Sequence, residues 1–326
     1  MDAKNQTRTL ETEQAYFKRA NDLAKTAAGE LGLTCEFTPF GKLVEWFQGA
    51  DGRWAPSTVR QYRASLRFAL ESFCCNPACY EEARLALERL NAEPMRPEPT
   101  KGGKRRTSAK KRKACMPGEV RAISDVLQQS QHRYALLARS ILWLGSELGL
   151  RPIEWSTARL EGTTLVVMNA KATNERANGE VRYLELSGLE PARNAMITKL
   201  LAMIKTALKT STWAKIFASI RYLFSWASAQ AAKAVPSLRG GRISPYTTRH
   251  IAAARAKDVM DGASVAALLG HNSTRTATSH YARRRSARGW APTMVGVDPS
   301  QVAMVRPTYR ARGAKLSSAV HEPPKI

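Results

Sequence analysis

Apolar residues recur at helical spacing through most of this chain and at strand spacing in one short stretch. Within residues 11–32, Tyr16, Phe17, Ala20, Leu23, Ala24 and Ala27 fall on one helical face, and Gly29 and Gly32 weaken its end. A short second helix follows Pro39, with Leu43, Val44, Trp46 and Phe47 as its apolar content, before a turn at Gly49–Gly52. A third is predicted in WAPSTVRQYRASLRFALESF, where Ser57 suits the N-cap and Val59, Tyr62, Leu66, Ala69 and Phe73 make one buried stripe. Glu81–Leu90 closes this part, so residues 1–93 are expected to form a helical domain.

Residues 94–114 break the pattern. Prolines, a glycine pair and eight basic residues between Lys101 and Lys113 leave nothing to build a core, which predicts an interdomain linker. Beyond it, residues 115–290 read as a second domain. Leu137, Ile141, Leu144 and Leu148 predict a buried helix ended by Gly149. Arg151-Pro152 follows, with Pro152 suited to the first position of the next helix and Glu154 to its first turn.

The period then changes to two. Thr164–Met168 and Val181–Leu186 are β-rich runs flanking a polar loop that contains Asn178-Gly179, a hairpin signal, and Lys171 lies just after the first run. Helices resume with Trp213, Ile216, Phe217, Ile220, Phe224 and Ala227 on one face. In the stretch 244–285, Pro245 opens a helix that Asp261-Gly262 stops, and Ser264 suits the cap of an apolar turn, Val265–Leu269, ended by Gly270 before His271. A last helix is expected to carry Tyr281 among Arg283, Arg284 and Arg285. The segment 291–326, with scattered Pro and Arg, reads as a tail that is either disordered or docked on a neighbouring copy.

Charge narrows the partners. The chain carries 51 Lys+Arg against 27 Asp+Glu, a net +24, and the excess is clustered, which favours double-stranded DNA or another nucleic acid over an anionic membrane surface. On the third helix, Arg60, Arg63 and Arg67 share a face, either as a solvated basic stripe or lying on DNA phosphates. Lys104, Arg105 and Arg106 in the linker suit a cationic strap along a DNA backbone. The five cysteines (35, 74, 75, 79, 115) lack zinc-finger spacing and read as idle thiols of a reducing compartment. With no long apolar stretch and no secretory signal, a cytoplasmic protein without a membrane partner is expected.

A guanidinium, an imidazole and a phenol in a basic setting, as Arg249, His271 and Tyr281 offer, suit attack on a phosphodiester. No carboxylate cluster and no G-x-x-x-x-G-K-[ST] loop is present, so neither a metal, a nucleotide nor another cofactor is expected.

Five short motifs stand in one order: GLRPIE (Arg151), NAKAT (Lys171), YTTRH (Arg249), LLGH (His271) and SHYA (Tyr281). In that order they resemble the tyrosine recombinase (phage integrase) family over roughly residues 11–290. The resemblance implies a mainly α fold with a small β-hairpin or sheet: a helical SAM-like core-binding domain, carrying WAPSTVRQYRASL, plus a mixed α/β catalytic domain. It further implies a bacterial or phage-encoded homo-tetramer on paired sites that exchanges strands through a 3′-phosphotyrosine. In that scheme Arg151, Arg249 and His271 hold the phosphate, Lys171 is the general acid and Tyr281 is the nucleophile. Integration or excision of a mobile element is the leading use. Replicon dimer resolution, a type IB topoisomerase and a DNA-binding protein with a decayed site are the alternatives.

Two departures stand out. Tyr246 occupies the place of the family's usual His, and ten positions separate His271 from Tyr281, one more than expected. A phenol with a pKa near ~10 can hold a hydrogen bond but is a poor base at neutral pH. His250 reads as a packing residue, and Glu154 as the group that orients Arg151.

Overall fold

The computed structural model describes residues 9–33, 38–50, 52–92, 112–170, 172 and 177–307. The protein is mostly helical, with one small antiparallel sheet, and divides into two compact units, 1–111 and 112–326.

The first unit is built from α1 (Leu10–Glu30), α2 (Phe40–Gly49), α3 (Pro56–Phe73) and α4 (Tyr80–Ala92). Leu23, Ala27, Phe40, Val44, Phe47, Leu66 and Leu90 meet in its core. Helix α3 begins at Pro56, with Ala55 rather than Ser57 at its cap. Proline lacks the N–H that the first turn leaves unpaired and has its φ preset for a helix, so it sets the start.

The second unit surrounds a helix buried on nearly every side, α9 (Pro245–Val259). Its elements in order are α5 (Pro117–Gln128), α6 (Ala135–Leu148), β1 (Arg159–Glu161), β2 (Thr164–Met168), β3 (Val181–Glu185), α7 (Pro191–Leu208) and α8 (Trp213–Ala234). Then come α9 (Pro245–Val259), α10 (Gly262–Leu268), α11 (Thr274–His280), β4 (Gly296–Val297) and α12 (Pro299–Ala303). The strands pair antiparallel in the order β1-β2-β3-β4. Asn178-Gly179 sits on the return arm just before β3, where the carbonyls of both residues accept from Asn169 Nδ2 at 3.1 and 3.0 Å.

Three further expectations change. Residues 291–307 belong to this unit: β4 extends its sheet, and Gln301 donates to the Val181 carbonyl (2.8 Å) and accepts from the Tyr183 N–H (2.9 Å). An edge strand with unpaired backbone groups binds whatever strand lies near, and here that strand comes from the same chain. Helix α10 is capped by Asp261, which accepts from the Ser264 N–H at 2.7 Å, so Ser264 lies inside the helix. Tyr281 stands one residue past α11 in extended backbone (φ −99°, ψ 162°) rather than within a helix.

Helices α6 and α9 pack closely because small residues face each other. A Cβ added to Gly145 would lie 2.4 Å from Thr248 Oγ1, which is itself held by a 2.8 Å bond to the Pro245 carbonyl. Gly145→Ala is therefore expected to destabilise the unit by about 1–3 kcal/mol through overpacking, measurable by thermal denaturation. Deeper in the same interface, Arg255 of α9 makes a paired bridge to Glu147 of α6 (2.9 and 2.8 Å) and donates to the Ala291 carbonyl. Cys74, Cys75, Cys79 and Cys115 are free thiols. Among the described residues no helix is long and apolar enough to cross a membrane.

Candidate active site

The first turn of α9 sets the site. Ser244 and Thr247 form its cap, with the Ser244 N–H donating to Thr247 Oγ1 (3.0 Å), and Thr247 also donates to the Arg112 carbonyl (3.0 Å). Tyr246 and Arg249 then project from the same side of the helix at i and i+3.

Arg249 is fully buried. Its Nη1 donates to the carbonyl of Gly149, which ends α6 in the left-handed conformation (φ 66°), and its Nη2 to the Leu269 carbonyl at 2.6 Å. Its Nε donates to the Tyr281 hydroxyl at 2.8 Å. Nη2 also lies 3.3 Å from His271 Nε2; since a guanidinium only donates, that nitrogen accepts.

Glu154 is the second organising group. It follows Pro152 on a short 3-10 turn, and its carboxylate accepts from the Arg151 backbone N–H (2.6 Å) and from Arg151 Nη1 (2.7 Å). It also accepts from Arg182 Nη2 (2.7 Å) and from the Ala170 N–H (3.3 Å), and stands 3.7 Å from Arg249 Nη1. Burial alone would raise its pKa, but the charges of Arg182, Arg249 and Arg151 hold it well below the usual carboxylate range. Three buried guanidinium groups thus surround one buried carboxylate, an excess of positive charge suited to an anion.

Tyr281 is buried in this field. Its ring lies 5.0 Å from that of His271, 5.2 Å from that of His250 and 6.3 Å from that of Tyr246, centroid to centroid. Its hydroxyl is 3.0 Å from the Tyr246 hydroxyl. Burial raises the Tyr281 pKa, but the Arg249 charge and the hydrogen bonds from Tyr246 and Arg249 outweigh it, and the phenol lies below its ordinary value. Tyr246 moves the other way, pushed up to about 12 by burial and by its neighbour Tyr281. Burial and then the charges of Arg249, Arg151 and Arg182 hold His271 at about 2, so it is neutral. Burial, with Lys113, Arg249 and Lys257, brings His250 down to about 4.

The structure therefore gathers Arg151, Arg249, His271, Tyr281 and Tyr246 at one place. Lys171 lies outside the described residues, although the chain on either side of it is anchored: Ala170 to Glu154, and the Ala172 N–H to the Asn169 carbonyl (3.2 Å). Lys104, Arg105 and Arg106 also lie outside the described residues. On α3, Arg60 is exposed, Arg67 is exposed and pairs with Glu71 (2.7 Å), and Arg63 is half-buried and donates to the Leu90 carbonyl (2.9 Å).

Arg182 is the residue that pattern reading passes over. It is wholly buried and links Glu154 to Asn169, whose side chain holds the far arm of the loop containing Lys171. The signal is its parity: Arg182 alternates in step with Leu184 and Leu186 on the inward face of the strand. Gly270 (φ 61°) passes so near this pair that an added Cβ would meet Asn169 Oδ1 at 2.2 Å. Among the described residues no three His, Cys, Asp or Glu side chains gather into a group able to hold a metal.

No protein-family model matches the chain, and no curated protein sequence matches it either. Among solved structures, a crystal structure of XerA recombinase aligns over 93% of this chain and 94% of its own, at 11% identity and a TM-score of 0.35.

Proposed function

We propose that the chain is a site-specific DNA strand transferase of the tyrosine recombinase kind, with Tyr281 as its nucleophile. The observation that carries the reading is the Tyr281 oxygen, set between Arg249 Nε and the Tyr246 hydroxyl inside a buried cluster of guanidinium groups. Phosphodiester transesterification needs a nucleophile in line, negative charge absorbed and the leaving oxygen protonated. Arg151 and Arg249 place positive charge for the non-bridging oxygens, with the Arg249 nitrogens engaged by Tyr281, Gly149, Leu269 and His271 in the DNA-free protein, and His271 stands beside them. Tyr281 Oη bonds to phosphorus, the bond from phosphorus to the 5′ oxygen breaks, and Lys171 gives that oxygen its proton. The resulting 3′-phosphotyrosine keeps the bond energy for rejoining, as an attacking 5′-hydroxyl releases Tyr281.

Net charge supports DNA as substrate, with Arg60, Arg63, Arg67, Lys104, Arg105 and Arg106 on backbone phosphates. The order of the five motifs supports a tetramer on paired sites, working in the cytoplasm on the ends of a mobile element.

The test uses nicked duplexes drawn from the DNA that flanks the chain's own gene, in which cleavage releases a short fragment and traps the intermediate. A denaturant-resistant protein–DNA adduct, mapped by mass spectrometry to the peptide containing Tyr281, is expected. DNA binding with no adduct on any duplex would overturn the enzyme and leave a DNA-binding protein.

A further inference from the structure

We propose that Tyr246 is a positioning residue whose hydroxyl donates a hydrogen bond to the Tyr281 oxygen, so that Tyr281 gives its own proton to solvent before attack rather than to a side-chain base. The inference rests on the reading of Tyr281 as nucleophile and concerns how that nucleophile is made.

Between two neutral phenols either hydroxyl can donate, but once Tyr281 has lost its proton its oxygen only accepts, and the Tyr246 O–H is then the donor of the shared hydrogen bond. Arg249 Nε, which only donates, already points at the Tyr281 oxygen from 2.8 Å, and the Tyr246 hydroxyl is 3.0 Å from the same oxygen. An oxygen that receives two donors in a cationic setting is placed to carry negative charge. The opposite displacements of the two phenols agree: Tyr246 keeps its proton and Tyr281 yields it.

Among the described residues, the groups around Tyr281 offer no base. Glu154, on its 3-10 turn, is committed to Arg151 and Arg182, and its displaced carboxyl has little appetite for a proton. His271, after α10, turns Nε2 to Arg249 and sits in the field of Arg151 and Arg182, while its Nδ1 is buried without a partner. His250, on α9, faces Lys113, Arg249 and Lys257, and all three charges resist a second proton on its ring. Lys257, further along α9, donates to the Ala282 carbonyl next to Tyr281 and adds positive charge. The step is therefore ordered. The Tyr281 O–H bond breaks with its proton passing to water, and the phenolate then forms the bond to phosphorus. The 5′ oxygen leaves with a proton from Lys171.

The experiment is an ultraviolet titration of tyrosinate in DNA-free protein, run on wild type, Tyr246→Phe and Tyr281→Phe. Wild type is expected to show one tyrosinate step below the rest of its nine tyrosines. Tyr281→Phe should lose that step. Tyr246→Phe, which keeps the ring, should move it upward by about ten- to a hundredfold in ionisation constant, the usual weight of a hydrogen bond to a charged group. Adduct formation by Tyr246→Phe should then need correspondingly higher pH, and Tyr246→His, which supplies a base in the same place, should restore it near neutrality. An early step that stays put in Tyr246→Phe, or no early step in wild type, would overturn the proposal even if adducts form. The titration uses no DNA, so an early step that moves as stated supports the Tyr246 role even where no duplex yields an adduct, a result that would sink the nucleophile reading alone.

Discussion

Tyr281→Phe is expected to remove the covalent adduct completely while the variant still folds and binds DNA. The ring keeps its packing against His271, His250 and Tyr246, and its contact with the Arg249 guanidinium 5.2 Å from its centroid. Only the oxygen is lost, and with it the atom that would bond to phosphorus. Removing it also leaves the buried Arg249 Nε–H without its acceptor, a cost of about 1–3 kcal/mol. A melting temperature lower by on the order of 5 °C follows for a unit of this size. DNA affinity should change little, because backbone charge dominates such binding. Gel analysis of the trapped intermediate, a thermal melt and a binding isotherm check the three parts. An adduct persisting in Tyr281→Phe would move the chemistry to another residue, and Tyr246, 3.0 Å away, is the first to examine.

Glu154→Gln is expected to be the most damaging single change to stability outside the hydrophobic core. The side chain keeps its shape and loses the negative charge that Arg151, Arg182 and Arg249 share among the described residues. Stripping a buried charge cluster of its partner costs about 3–5 kcal/mol. The corresponding fall in melting temperature is on the order of 10 °C. Adduct formation should fall as well, since Glu154 sets both Arg151 and the backbone beside Lys171. The same group makes a pH prediction. Its folded pKa is depressed, so its contribution to stability is complete above the unfolded carboxylate value of about 4.3 and is lost as pH falls below it toward the folded value. Denaturant melts over a series of acid pH values should show wild type losing stability more steeply than Glu154→Gln, whose uncharged amide does not titrate in that range.

Helical periodicity made most of the helices legible, because an amphipathic stripe marks its own buried face. Val59, Leu66 and Ala69 on α3, and Ile216, Ile220, Phe224 and Ala227 on α8, are buried where their spacing places them. Strand β1 (three residues) and β4 (two residues) are too short for alternation to register, and β4 depends wholly on the open edge of β3. The first part of the tail, residues 291–307, escapes sequence reading for the same reason. Nothing within residues 291–307 reveals that Gln301 will meet the backbone of a strand more than a hundred positions earlier.

The site divides along the same line. Residue types and their order were enough to name Arg151, Arg249, His271 and Tyr281 as candidates, because guanidinium, imidazole and phenol declare their chemistry wherever they stand. Glu154 was legible as the partner of Arg151 because the two are three residues apart on one turn. Strand parity puts Arg182 on the inward face, but only the tertiary structure decided that it shares that carboxylate. It also decided that Tyr246 meets Tyr281 oxygen to oxygen across 35 positions of chain. Local sequence governs backbone conformation and which face is apolar; the burial of a charge depends on the counter-charges that distant segments bring to it, and only the folded chain brings them together.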